Sequence, residues 1–234
     1  MSKPSNFDSF YFDNGETSWD DVSRRVSGLM PVRQRQMVYE ALRDKKILPG
    51  TPILRNALTA GTLNMLSCHS MQIGDSIEAI WKAASDCAQV FKSGGGGVGI
   101  DFSKLSPRGT KFKYARRVTD GHNADSGHSE GPVSFLPLFE ATGRIIGSAR
   151  SGKKSGTMGT LNGAHPDALE WVGLKASPEG RELYRQFNFS LTIPDGPDSI
   201  PAEVWNAAVQ TAWRWGDPGM IFLDNANAKN PVLD

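Results

Sequence analysis

The sequence predicts an α/β fold built on a largely parallel sheet or barrel, and three observations carry that reading. From Pro49 onward, apolar residues switch repeatedly between the period of a helix and that of a strand. The clearest strand sets Phe187, Phe189, Leu191 and Ile193 in strict alternation with Asn188, Ser190 and Thr192. The 25 glycines of the 234 residues gather in loops between periodic segments, where bare backbone can lie close to a ligand.

Taken in order, residues 1–48 read as a short polar arm and one helix, with Val32, Gln36, Tyr39 and Leu42 spaced along residues 32–46. Residues 49–234 form the main body. Ile77, Ile80, Ala84, Cys87, Ala88 and Phe91 fall at helical spacing, with Asp75 and Glu78 as a capping pair at the start, and that helix should stop near Gly94. A short strand over 98–102 is followed by a helix over 132–147 that carries Phe135, Leu138, Phe139, Thr142 and Ile146 on one face. A strand over 157–161, a helix opened by Pro166 and running to Lys175, and the strand over 187–193 come next. A helix over 201–215 and a strand over 219–223 complete the set.

Composition narrows the function classes. With 38% hydrophobic and 22% charged residues the chain has the makeup of a globular protein with a sizeable core. A net charge of +1 gives no general attraction for nucleic acid or membrane surfaces, so neither is an expected partner. No apolar run approaches the ~20 residues that cross a bilayer, and MSKPSNFDSF lacks the apolar stretch of a signal peptide, which makes the cytoplasm the expected compartment. Two cysteines, Cys68 and Cys87, are too few for a disulfide scaffold or a zinc cluster, and no metal site is expected.

Two glycine motifs mislead. Gly94, Gly96 and Gly99 in KSGGGGVGIDF satisfy G-x-G-x-x-G, yet here a helix precedes the glycines and a strand follows. A dinucleotide fingerprint needs the reverse order, so that the pyrophosphate meets a helix N-terminus. Gly147 to Lys153 spells G-x-x-x-x-G-K, but Lys154 stands where a Ser or Thr would hold magnesium, which excludes a P-loop.

Read together, eight ordered blocks carry a resemblance: TPILRNA (51–57), LSC (66–68), GDSIEAI (74–80), FKSGGGGVGIDFSKLSPRG (91–109), GPVSFLPLFEAT (131–142), MGTLNGAHPDALEW (158–171), FNFSLTI (187–193) and GDPGMIFLDNANAKNP (216–231). In order and spacing they resemble the large catalytic chain of ribonucleotide reductases. The forms K-S-G-G-G and G-P-V-S-F are most similar to the adenosylcobalamin-dependent class, although the class served by a separate metal-radical subunit shares much of the pattern.

The resemblance implies the first half, about five parallel strands, of a ten-stranded α/β barrel. It also implies thiyl-radical reduction of a ribonucleotide, with a dithiol that becomes a disulfide. Cys68 matches one dithiol cysteine, and Thr51 and Ser67 match residues at the substrate's sugar and phosphates. Asp75, Ser93, Lys104 and Arg108 match the region that binds a deoxynucleoside triphosphate effector, with the aspartate accepting from its 3'-hydroxyl. Arg150, Lys153 and Lys154 fall in the loop that relays effector identity to the substrate base. This chain departs from the family in reading Leu105-Ser106-Pro107 for L-R-P, and in placing Lys153 and Lys154 where two arginines are usual. Cys87 has no counterpart and is assigned to packing. The radical cysteine of the family sits in N-x-C-x-E, absent here, so a separate chain bearing that motif is the expected partner, together with a thioredoxin-like or other dithiol reductant. The other reading is a nucleotide-binding regulatory remnant without catalysis. A half-barrel of this kind is also expected to show an apolar interior.

Overall fold

The computed structural model describes residues 9–13, 15–59, 64–93, 96–111, 127–148, 156–194 and 196–231. Arg150, Lys153 and Lys154 lie outside the described residues. The chain packs as two compact units, one of Met1–His69 with Gln89–Gly97 and the other of Ser70–Ala88 with Val98–Asp234.

In the first unit the polar arm proves to hold a helix of its own. Helix α1 (Trp19–Ser27) opens on a capping box in which Ser18 accepts from Asp21 N–H while the Asp21 carboxylate accepts from Ser18 N–H. The Ser-x-x-Asp signal was in the sequence, masked by the few apolar residues around it. Helix α2 (Val32–Arg43) and the short α3 (Thr51–Asn56) complete the set. Tyr11, Trp19, Val22, Val26, Leu42, Leu54 and Ala57 form the core, and Trp19 Nε1 donates to Leu42 O at 2.8 Å.

Arg25 ties this unit together. Its guanidinium meets Glu16 at 2.7 and 3.0 Å and donates to the carbonyls of Leu54 and Ala57, both at 2.9 Å, and of Tyr11 at 3.2 Å. Leu54 lies in the last turn of α3 and Ala57 is its C-cap residue, so the cation satisfies carbonyls at the end of that helix.

The second architectural element is one sheet of five parallel strands: β1 (Cys68–Gln72), β2 (Gly97–Asp101), β3 (Gly156–Asn162), β4 (Phe187–Ile193) and β5 (Gly219–Phe222), adjacent in that order. This is the predicted α/β fold. Strand β1, CHSMQ, escapes sequence reading because its pleat places mostly polar residues on both faces. The intervening helices are α4 (Ile77–Lys92), α5 (Leu136–Ser148, preceded by a 3₁₀ turn over Pro132–Phe135), α6 (Ala168–Gly173), α7 (Pro178–Leu183), α8 (Ala202–Trp215) and α9 (Leu223–Asn227). The single helix expected from Pro166 to Lys175 is thus shorter, and a further one follows, opened by Ser177, which accepts from Gly180 N–H. At the start of α4 the cap is Ser76, whose hydroxyl accepts from Ala79 N–H at 3.1 Å; the expected Asp75–Glu78 pair does not form it, because Asp75 turns to another partner.

Register shows how the sheet divides its faces. Thr157, Gly159 and Leu161 lie beside Phe187, Phe189 and Leu191, while Met158, Thr160 and Asn162 lie beside Asn188, Ser190 and Thr192. The first face is apolar and buries Trp171, whose ring meets Phe102 and Phe189 at centroid distances of 5.4 and 5.1 Å. Gly159 makes room for it, since a Cβ there would come within 3.0 Å of the indole. The second face is chiefly polar, contrary to the expected apolar interior: the alternation in FNFSLTI commits its large side chains to the helix-covered side.

A buried polar group closes the start of β4. Lys175 Nζ donates to Phe187 O and lies 3.1 Å from Asp217 Oδ2, and Glu140 accepts from Gln186 N–H at 3.3 Å. Burial pushes the Glu140 carboxyl above its ordinary 4.5, against the pull of the Gln186 hydrogen bond and the charges of Lys175 and Arg144. Between the ordinary and the raised value the folded chain holds a proton that the unfolded chain releases, so stability declines as pH rises through that window. Glu140→Gln is expected to be more stable than the unaltered chain at neutral pH and to lose that advantage below about pH 4.5. Urea unfolding at a series of pH values checks this; equal stability at neutral pH contradicts it.

Candidate active site

Cys68 heads strand β1 and is exposed, whereas Cys87 is 1% exposed on α4. Burial pushes the Cys87 thiol up to about 12, and its Sγ lies 3.5 Å from Met71 Sδ. Cys87 is therefore a packing residue, and Cys68 is the thiol open to chemistry.

The segment leading into Cys68 is fixed by backbone and amide contacts. Asn56 donates to Asn64 O at 2.6 Å, Asn64 N–H donates to Ser93 O at 3.0 Å, and the Asn64 carboxamide bonds both Leu66 N–H and the His69 ring at 2.8 Å. Asn64 is a positioning residue that the sequence reading passed over. Its signal was local, an Asn in a non-periodic stretch, which is the setting of an Asx turn in which the side chain accepts from the N–H two residues on.

The glycine run explains itself here. Gly97 N–H donates to Ser67 O at 2.8 Å, and a Cβ on Gly96 would lie 2.4 Å from that same oxygen. Only glycine lets this backbone pass the residue next to the thiol. Across the segment, Ser67 Oγ lies 3.4 Å from where a Cβ on Gly50 would stand, so the residue before Thr51 borders Ser67. Thr51, Ser67 and Cys68 thus share one neighbourhood. Gly96→Ala is expected to displace Ser67 and Cys68 and to lower any reaction at the thiol by at least about tenfold, because small misplacements of reacting groups are costly. Rates of thiol labelling and of turnover, compared with the unaltered chain, test this.

Of the four residues matched to effector binding, Asp75, Lys104 and Arg108 belong to the second unit and Ser93 to the first. Ser93 follows α4 directly, its hydroxyl donating to Val90 O at 2.9 Å. Lys104 follows β2 and lines a cavity of about 350 Å³ with Gln72, Asp101 and Thr160. The Asp75 carboxylate accepts from Ser106 N–H at 2.9 Å and from Ser106 Oγ at 2.5 Å. The Arg108 guanidinium engages Glu130 at 3.0 Å and Glu170 at 2.9 and 3.2 Å. Those partners hold its charge in the protonated form. Near that arginine, the chain enters and leaves an antiparallel contact between Lys111 and His128.

One sheet of five parallel strands with helices around it is an α/β fold consistent with half of a barrel. The family model "Ribonucleotide reductase, barrel domain" matches residues 66–196. The chain belongs to the ribonucleotide reductase family. It is 34% identical over 217 residues to the vitamin B12-dependent ribonucleoside-diphosphate reductase of Thermoplasma acidophilum, covering 82% of this chain and 26% of that one. It is 30% identical over 215 residues to the enzyme of the same description from Mycobacterium tuberculosis strain H37Rv, covering 82% and 28%. A ribonucleoside-diphosphate reductase large subunit of Dictyostelium discoideum is 31% identical over 160 residues, 67% of this chain and 17% of that subunit. The chain therefore spans about a quarter of the length of the B12-dependent relatives named here. Among the described residues, no helix is long and apolar enough to cross a membrane.

Proposed function

We propose that this chain is part of the catalytic barrel of a cobalamin-dependent ribonucleotide reductase and that Cys68 is one of the two thiols oxidised in each turnover. The single observation that carries the reading is the exposed Cys68 on a strand whose approach is built by Asn64, Gly96 and Gly97, in contrast to buried Cys87. In the reaction a thiyl radical takes the ribose 3'-hydrogen and later returns it. The 2'-hydroxyl leaves as water, and two thiols give up two electrons and their protons as they join in a disulfide. Cys68 supplies one of those sulfurs; Thr51 and Ser67 hold the sugar and phosphates beside it. The names of the relatives support a ribonucleoside diphosphate as substrate.

The radical cysteine and the second dithiol cysteine are not among these 234 residues, which hold Cys68 and Cys87 alone, so both come from sequence carried elsewhere. A thioredoxin-like or other dithiol reductant reduces the disulfide that Cys68 enters, returning both sulfurs to thiols and itself becoming the disulfide. Adenosylcobalamin, when bound, supplies the radical. Among the described residues no group of three or more His, Cys, Asp or Glu side chains gathers to hold a metal ion. None of the residues described above is assigned to the cofactor. Asp75, Lys104 and Arg108 contribute to effector binding, Arg108 exchanging Glu130 and Glu170 for phosphate, and Ser93 is matched to the same role by resemblance alone. Arg150, Lys153 and Lys154 carry the relay to the substrate base.

Iodoacetamide distinguishes this reading from that of a regulatory remnant. In the folded reductase, Cys68 is expected to react at least about tenfold faster than Cys87, with deoxyribonucleotide formation falling in step with Cys68 labelling and ribonucleoside diphosphate slowing both. Full activity after complete labelling of Cys68 would refute the assignment.

A further inference from the structure

The inference rests on the reading of Asp75 as acceptor for a nucleotide sugar hydroxyl, and concerns the residue that already occupies it. Both oxygens of the carboxylate are taken by Ser106, Oδ1 by its N–H at 2.9 Å and Oδ2 by its hydroxyl at 2.5 Å. The two donors differ in how firmly they are held. Leu105 is 3% exposed and its carbonyl bonds His165 Nε2 at 3.1 Å. Because His165 Nδ1 accepts from Asp167 N–H at 3.1 Å, the ring proton sits on Nε2 and points at Leu105 O. The Ser106 carbonyl accepts from Ser129 Oγ at 2.9 Å, and Arg108 N–H donates to Asp167 Oδ2 at 2.9 Å. Gly131, at φ +78°, leaves the space for that last contact, since a Cβ there would come within 2.6 Å of Asp167 Oδ2 and 3.1 Å of Arg108 N. The backbone is thus anchored on both sides of Ser106, which fixes its N–H on Asp75. Its hydroxyl is free to leave by rotation about one side-chain bond.

We propose that the Ser106 hydroxyl is an internal stand-in for a ligand hydroxyl, an autoinhibitory contact that a nucleotide displaces by turning the serine side chain away from Asp75 Oδ2. The Ser106 N–H then stays on Oδ1 while Oδ2 is freed for a ligand hydroxyl, which suits a sugar presenting a single hydroxyl to the carboxylate. Binding of such a ligand exchanges one hydrogen bond for another at Asp75, so part of its intrinsic affinity is spent on the serine.

Calorimetric titration of the full chain with a 2'-deoxynucleoside triphosphate and with its 2',3'-dideoxy counterpart tests this. Ser106→Ala is expected to tighten binding of the deoxy ligand about fivefold and to leave the dideoxy ligand unchanged, as a hydrogen bond to a charged group removed from the free state alone would do. Ser106→Thr, which keeps the hydroxyl, should show no such gain. Asp75→Ala should make the two ligands equal in affinity in either background. If Ser106→Ala leaves deoxy binding unchanged while Asp75→Ala still weakens it, the displacement proposal is wrong and the effector reading stands. If Asp75→Ala does not alter the difference between the two ligands, or if neither ligand binds, the effector reading fails and the proposal fails with it.

Discussion

Replacing Cys68 by serine is expected to lower turnover of the assembled reductase by at least about a hundredfold, because a serine oxygen cannot join a disulfide and the pair of electrons that reduces the 2'-carbon has no route to the sugar. The change is nearly isosteric at an exposed strand end, so folding and effector binding at Asp75 should remain within about twofold of the unaltered protein. Deoxyribonucleotide formation with dithiol, effector and cobalamin measures the first; nucleotide titration measures the second. The matching change at Cys87 has the opposite profile. A hydroxyl placed in the packed surroundings of Met71 should cost about 1–3 kcal/mol of stability and leave the chemistry intact. Normal multiple-turnover rates in Cys68→Ser would remove the thiol from the electron path.

Arg25→Ala is expected to destabilise the first unit by about 3–5 kcal/mol, the usual result of stripping one partner from a buried ion pair. The Arg25 and Glu16 side chains are only 10% and 12% exposed, so the loss takes the cation from a buried carboxylate, which keeps Asp13 N–H, and a donor from three carbonyls. Arg25→Met with Glu16→Gln should cost less than Arg25→Ala alone, since it removes the orphaned charge along with the cation. Amide exchange across Trp19–Ser27 in urea reports both; equal losses for the single and double changes would show that the charge itself is not what the fold depends on.

The legible parts of the sequence were those where one period dominates. Strand β4 was readable because FNFSLTI places large apolar groups on one side only, and helix α8 because Pro201 starts it and Gly216, at φ +81°, stops it. Strand β1 was not readable, since its place in the sheet comes from neighbouring backbone and not from its own side chains. The thiol at its head was found through family resemblance, which told nothing of Asn64 or of why residue 96 is glycine. Those depend on contacts between segments about 30 residues apart, such as Asn64 with Ser93, and no local pattern encodes them. Asp75 was wrongly partnered: its spacing to Glu78 fits a cap, but Ser76 reaches the helix first and leaves Asp75 to Ser106.

The strand order β1 to β5 is also the order in which the ribosome makes them. Each strand emerges next to one already present, so the sheet can grow from one edge without waiting for a distant segment to arrive. At about 5–20 residues per second, the stretch from Asn162 to Phe187 delays β4 by roughly 1–5 s. The stretch from Asp101 to Gly156 delays β3 by roughly 3–11 s. During synthesis, therefore, among the edges that a later strand of this sheet goes on to cover, that of β2 stays open longest, and it is there that the growing sheet is most exposed to pairing with the wrong neighbour.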